Sequence, residues 1–493
     1  MTACIHRLIA TALPCAILAS AAYAQPTVNG RRDFDYHPAP QFSSADVVPP
    51  VVSAAGGTAT LNVVLSPALE EIALEVTLTL TGVDLDGMQT AGTGDNVTEV
   101  AIYRGAAGSN GPLVFGILGP ANSDLNMDTT VDPVNGVVYT KWDDIEGNAT
   151  SLFTQLENLW ASQIYILVST NDNPTGEIRA QVQFTTALAV QDNFTQFGNS
   201  TSGNPFRAEG GSELNAAYGQ MVNGRLYVLT TGNLESNFNK YEMFIDCLPG
   251  GQNKLRGDNP DVDFNGINRM GDDGSDNGLR FDAGFEADHW FSCTTGGGDD
   301  FAMPPIPPDI FANYARLLTG GGGTGGFMGG NPAPGGQYSF SGLPVFLGID
   351  QRNTVGVDGS DVNNPLEVNT GIEWSISLRQ LGLPRGEVKI CVFINGGGHD
   401  FLSNQVLGGL GGLSDNLGEP RNVDFGLQSG LQYFTLMLPM VYGDLNKNDA
   451  VQADDLAAFL PELGKTTNGI ADLEGDGKVD AFDLALLLGD LSS

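Results

Sequence analysis

The chain has 493 residues, enough for two to four domains, and its 41% hydrophobic content suffices to bury cores in them. Its 58 acids against 22 bases leave a formal net charge of −36, which argues against nucleic acid or an anionic membrane as a partner and makes cations the natural ligands. The 66 glycines and 26 prolines, set among strongly alternating stretches, point to a mostly β chain with many turns.

Residues 1–24 carry a weakly positive start (His6, Arg7), an apolar run from Leu8 to Ala22, and Ala22-Tyr-Ala24 before Gln25, which is the pattern of a cleaved secretory signal. A secreted, extracellular or cell-surface-associated protein is therefore expected, with no membrane span. Residues 25–56 contain five prolines and are either a leader or, through Val28-Asn-Gly-Arg-Arg-Asp-Phe-Asp-Tyr36, the first strand of a larger sandwich.

From Thr58 the sequence alternates: Ala59, Leu61, Val63 and Leu65, then Leu74, Val76, Leu78 and Leu80, then Val97, Val100 and Ile102, with runs closed by Gly, Pro or Asp. This predicts a β domain over residues 57–185. Tyr103-Arg-Gly-Ala-Ala-Gly-Ser-Asn-Gly-Pro112 and the ending Asn173-Pro-Thr-Gly-Glu-Ile-Arg-Ala-Gln181 resemble the CHRD domain, over roughly Gly57 to Phe184. Where many members of that family carry histidines, this chain has Ala101-Ile-Tyr103 and Leu167-Val-Ser169. Residues two apart on a strand share a face, so Glu177 and Arg179 are expected to pair on the sheet surface, worth at most about 1 kcal/mol.

Residues 186–438 read as a larger β-sandwich domain, with strand-like runs at Arg225–Thr230, Lys240–Asp246, Leu343–Ile349, Ile372–Leu378 and Val388–Ile394. The stretches Thr231-Gly-Asn-Leu-Glu235, Phe244–Asn253 and Ile372–Leu378 weakly resemble carbohydrate-binding sandwiches of the family 9 type. The β domain of residues 57–185 is expected to be inserted in this larger sandwich. Between Asp258 and Asp282 acids and amides crowd in a way that suits either a hard cation or solvated turns. The glycine-rich run from Thr319 to Gly336 is expected to be a loop. Cys247, Cys293 and Cys391 permit at most one disulfide, and buried thiols are the expectation, with or without one bridge. His399, after Asn395-Gly-Gly-Gly, is expected to bond a backbone carbonyl. The common hydrolase motifs are missing, and no catalytic residue is named.

Residues 440–493 state one pattern twice. Side chains at positions 1, 3, 5 and 12 of a tight loop, a carbonyl at position 7 and a group or water at position 9 supply the oxygens that Ca2+ takes. The first loop offers Asp444, Asn446, Asn448, the carbonyl of Ala450 and Asp455; the second offers Asp472, Glu474, Asp476, the carbonyl of Lys478, Asp480 and Asp483. Gly477 holds the turning position of the second loop and Asp449 that of the first, so the first is expected to be the weaker site. A short amphipathic helix follows each loop, through Leu456, Phe459 and Leu463, and through Leu484, Leu487 and Leu491. The helices are expected to fold on the metal, and the sandwiches to fold without them. This segment resembles a type I dockerin, which implies docking to a cohesin-type partner read by loop positions 10 and 11, here Ala453 and Asp454, then Ala481 and Phe482.

The fold class expected is thus mostly β, two sandwiches and a small α-helical calcium module. The function expected is that of a secreted non-catalytic modular protein that binds calcium, docks to a cohesin-type partner and binds glycan or extracellular matrix, in association with polysaccharide breakdown. The alternative is a glycoside-active enzyme in the large β region carried by the same module.

Overall fold

The computed structural model describes residues 28–32, 40–65, 72–183, 187–191, 193, 195, 212–297, 308–331, 336–340, 342–351, 353, 357, 365–412, 415–438, 440–445, 450–466 and 469–491. The expected signal segment, Phe34 and Tyr36, and the loop residues Asn446 and Asn448 lie outside them. Among the described residues no helix is long and apolar enough to cross a membrane.

The first domain comprises β1 (Gln41–Phe42), β2 (Gly56–Leu65), β3 (Ile72–Thr81), β4 (Val97–Arg104), β5 (Leu113–Leu118), β6 (Thr130–Asp132), β7 (Val137–Asp143), α1 (Leu152–Trp160), β8 (Ile164–Thr170) and β9 (Ile178–Val182). Two antiparallel sheets form, in the orders β1-β2-β3-β7-β6 and β5-β4-β8-β9. Side chains on a strand alternate between faces, and in β3 Leu74, Val76, Leu78 and Leu80 all turn into the space between the sheets. They meet Val100, Ile102, Phe115, Ile166 and Trp142 there, with Phe115 stacked on Trp142 at 5.2 Å. Pairing of Gln41 with Thr58, and of Ser43 with Arg179, ties residues 41–43 into this domain ahead of its first long strand. Helix α1 was not foreseen, although Ser151 before Leu152 is a helix-start signal: its Oγ accepts the Thr154 N–H at 3.4 Å, and Thr154 Oγ1 accepts the Ser151 N–H at 3.2 Å.

The larger sandwich comprises β10 (Ala189–Val190), β11 (Glu213–Val222), β12 (Arg225–Asn233), β13 (Asn237–Asp246), β14 (His289–Gly296), β15 (Asp309–Arg316), β16 (Gly325–Asn331), β17 (Gly336–Phe340), β18 (Leu343–Ile349), β19 (Gly371–Ser377), β20 (Glu387–Asn395), β21 (Leu402–Val406) and β22 (Phe434–Met437). One sheet runs β10-β11-β12-β19-β18-β17; the other runs β16-β15-β14-β13-β20-β21, with β22 also on β20. Between them pack Val228, Ile372, Trp374 and Ile376 from the first sheet, and Tyr241, Met243, Phe291 and Val392 from the second. The outer face of the second sheet has its own core at one end, where Phe244, Trp290 and Phe393 are covered by Phe281, Phe285 and Phe425 from loops. Part of the glycine-rich run expected as a loop is strand β16, which pairs with β15.

Among the described residues the cysteines, Cys247, Cys293 and Cys391, are free and buried. Cys293 faces the inter-sheet core and Cys391 the opposite face of the same sheet, so a bridge between them is sterically closed. Tyr241 pairs with Cys293, and Cys247 lies six residues further along that strand's direction, about 20 Å at strand rise.

Both ends of the described chain lie on this sandwich. The backbone N–H groups of Asn29 and Gly30 donate to the buried Glu373 carboxylate at 2.8 and 2.9 Å, and Arg31 bridges to Thr370 and pairs with Asp350 at 2.8 Å. At the other end, α2 (Ala453–Phe459) brings Phe459, α3 (Ala481–Asp490) brings Leu487, and the loop between them brings Leu473 and Val479 into the same apolar cluster as the inter-sheet core. Tail and body thus share one apolar cluster. Two short amphipathic helices bury their apolar sides on the nearest apolar surface, which is the end of the sandwich.

Candidate functional site

The second C-terminal loop is built around two carboxylates that fold the backbone onto themselves. Asp472 Oδ1 accepts the N–H groups of Gly475 and Asp476 at 2.9 and 3.1 Å, and its Oδ2 accepts that of Gly477 at 2.8 Å. Gly477, at φ +90°, makes the turn that the sequence assigned to it. Asp483 closes the loop: Oδ1 accepts from Leu473 N–H at 2.8 Å and Oδ2 from Asp480 N–H at 2.7 Å. Asp480 in turn caps α3 by accepting from Phe482 N–H at 2.7 Å, completing a capping box with Asp483. The first loop repeats the closure, with Asp455 accepting from Leu445 N–H at 2.9 Å and Gln452 N–H at 2.8 Å. Asp444 and Ala450 are half-buried at its mouth.

Glu474, Asp480 and Asp483 bring one carboxylate oxygen each within 4.8 Å of one another, the one such acidic group among the described residues. Glu474 is fully buried, and its Oε2 has no hydrogen-bond partner. Burial, reinforced by the neighbouring acids, pushes the Asp472 and Glu474 carboxyls up to about 7 and raises that of Asp483. Lys478 is exposed at position 7, and Ala453, Asp454, Ala481 and Phe482 are exposed beside the helix starts.

Two arginines of the larger sandwich grip this loop, and no motif pointed to either. Arg225 follows the turn Asn223-Gly224, whose φ values of +47° and +67° are those of a tight hairpin. It donates to Gly475 O at 2.6 Å, and Gly224 and Gly475 approach so closely that a Cβ on Gly224 would meet Gly475 N at 2.4 Å. Arg379 pairs with Glu474 at 2.9 Å and Asp476 at 3.3 Å, and its guanidinium lies 4.7 Å from the Phe482 ring centroid.

The other acidic stretch is organised differently. Asp258 pairs with Arg256 at 2.7 Å, Lys254 with Asp272 and Asp276 at 3.0 and 2.7 Å, and Lys240 with Asp263 at 2.7 Å, while Asp282 accepts Gln432 N–H at 2.7 Å. These acids are matched to bases and amides. His399 bonds no carbonyl through its ring: Nδ1 lies 2.5 Å from the fully buried Glu242 Oε1, and Nε2 lies 3.2 Å from Oδ2 of the partly exposed Asp263. A histidine between two carboxylates is worth more protonated than a carbonyl contact would make it.

In the first domain, Glu177 and Arg179 do not pair, and neither is on the surface. Glu177 accepts from Ser53, from Thr170 at 2.8 Å and from Asn173 at 2.5 Å. Although burial opposes it, these three donors hold its carboxyl below the usual range. Arg179 is 1% exposed; it donates to the carbonyls of Ser109 and Ala106 at 3.0 Å each and to Gln181 at 2.7 Å, and lies 3.6 Å over the Tyr165 ring. Gln181 donates to the carbonyls of Gly105, Ser162 and Ile164 at 3.0, 2.9 and 2.9 Å. The motif pins the turn after β4 to the edge of β8 and β9, which is a folding task.

No curated protein matches the chain. The family model for the CHRD domain matches residues 41–182, the span from β1 to β9 that closes these two sheets around one core.

Proposed function

We propose that this is a secreted modular binding protein whose C-terminal loops hold Ca2+ and present Ala453, Asp454, Ala481 and Phe482 to a cohesin-type partner, in association with glycan or extracellular matrix. The observation that carries the calcium reading is the buried, unpartnered Glu474 Oε2 beside Asp480 and Asp483. A carboxylate oxygen removed from water without a partner is costly, and a divalent cation offsets that cost. The donor set fits a hard cation: Asp472, Glu474, Asp476, Asp480 and Asp483 supply side-chain oxygens and Lys478 a carbonyl. Calcium there would act as a cross-link, neutralising the acids around which the backbone is wound. The repeated closure by Asp455 supports a second, weaker site.

Calorimetric titration of the full chain with CaCl2 tests the reading, read alongside hydrogen exchange over 472–484. Heat of binding with protection of those amides is the expected result; exchange unchanged at millimolar calcium overturns it. Capture by a cohesin-type domain, present with calcium and lost with chelator, tests the partner.

A further inference from the structure

The loop-covered core on the outer face of the β14-centred sheet stops short of one end, and a cleft of about 450 Å³ opens there. Phe238, Phe264, Phe311 and Phe327 wall it, and three of these rings are unusually exposed for phenylalanine, at 47%, 70% and 60% for Phe238, Phe264 and Phe327. The floor is polar and buried. Lys240, Thr294 and Asn313 line it at 1–3% exposure, and in the next row Glu242 pairs with Ser292 and Ser292 with Asn313. The Ser292 hydroxyl has no hydrogen-bond partner.

Four non-glycine residues hold left-handed backbone around this cleft: Phe238 (φ +72°), Asp263 (+69°), Asn265 (+58°) and His399 (+54°). Asp, Asn and His tolerate that region, whereas an aromatic residue there is an outlier, and strained residues gather where a surface has been shaped for contact. The charges beneath cancel: Lys240 and His399 meet Asp263 at 2.7 and 3.2 Å, His399 meets Glu242, and Trp290 Nε1 donates to Glu242 Oε2 at 2.7 Å.

An occupant must therefore be neutral, must offer flat apolar faces to the rings, and must carry hydroxyl or carbonyl groups for the floor. Lys240 is already held by Asp263, and the Thr294 hydroxyl donates to Asn239 O at 2.7 Å, so a purely apolar ligand would leave the Ser292 hydroxyl and the Asn313 amide unanswered, and a charged one would disturb a balanced network. We infer that the Phe-walled cleft on the larger sandwich binds a neutral saccharide, with sugar-ring faces against Phe264 and Phe327 and hydroxyls toward Asn313 and Thr294. This deepens the glycan-associated reading above by naming its site.

Affinity electrophoresis of the full chain in galactomannan, xyloglucan and mixed-linkage glucan, followed by titration with the matching oligosaccharides, tests it. Retardation in at least one gel is expected, with a tenfold or greater loss in the Phe264→Ala/Phe327→Ala double variant. Both side chains are exposed, and an unchanged near-ultraviolet circular dichroism spectrum verifies the fold; Asn313→Leu provides a second variant. Wild-type binding that both variants retain overturns the cleft and leaves the glycan reading standing. Absence of wild-type binding to every neutral glycan overturns both.

Discussion

The buried polar cluster of the first domain and the acidic loop at the C-terminus use similar residues to opposite ends. Around Glu177, Arg179 and Gln181, the charged and amide groups are answered by hydroxyls, amides and backbone carbonyls of the same domain. In the second C-terminal loop the acids face one another, and a buried carboxylate oxygen is left without a partner. A polar group satisfied by its own fold specifies that fold; one left unsatisfied points to something the chain does not supply.

The largest effect should come from breaking the satisfied cluster. Arg179→Ala removes a buried cation that ties three segments together and strands their carbonyls, so the first domain should lose roughly 3–5 kcal/mol, measured by denaturant unfolding of the full chain. A loss under about 1 kcal/mol would return Arg179 to the class of surface pairs. The unsatisfied loop should instead respond to its ligand: at a hundredfold excess over its dissociation constant, calcium should add about 2.7 kcal/mol to the stability of the transition that includes the tail. Asp472→Ala should abolish most of that increment and Asp444→Ala a smaller part, by calorimetry with and without chelator.

Between these extremes stands His399, whose neighbours Glu242 and Asp263, with Lys240 beyond, satisfy it only while it is charged. Burial lowers its proton affinity, but the two carboxylates more than reverse this and raise its pKa to about 9. Folded affinity for the proton exceeds unfolded affinity, so this stabilisation is complete below about pH 6.5 and is lost as pH rises through about 9. Unfolding midpoints across that window should fall in the wild type and lie flatter in His399→Gln. The smallest effect is expected at Arg379, which is partly exposed and would compete with a bound cation for Glu474 and Asp476. Arg379→Gln should change stability by less than about 1 kcal/mol while tightening calcium binding several-fold. Weaker binding would show that the arginine organises the loop.

The β class, the two-residue alternation of β3 and the turning glycine of the second loop were legible because each is local. Leu74, Val76 and Leu78 carry their own period, and Gly477 sits at a fixed offset from Asp472. The role of Arg179 was not legible, since spacing says that it shares a face with Glu177 but not that the face is covered. Nor was the cleft, because Phe238, Phe264, Phe311 and Phe327 come from four segments joined only by tertiary pairing. The cysteines were half legible: their burial followed from apolar flanks, while the absence of a bridge depends on Cys293 and Cys391 taking opposite faces of one sheet.

The placement of both ends on the larger sandwich has a consequence for how the chain is made. Residues 41–182 contain every strand of their own two sheets and can close as soon as they emerge from the ribosome. The other sandwich draws on residues from Asn29 to Leu487, so the unit whose first contacts are synthesised earliest is completed last. Until Leu473, Val479 and Leu487 have been added, the end of its core stays open to water, and the nascent chain carries that apolar face uncovered for most of its synthesis.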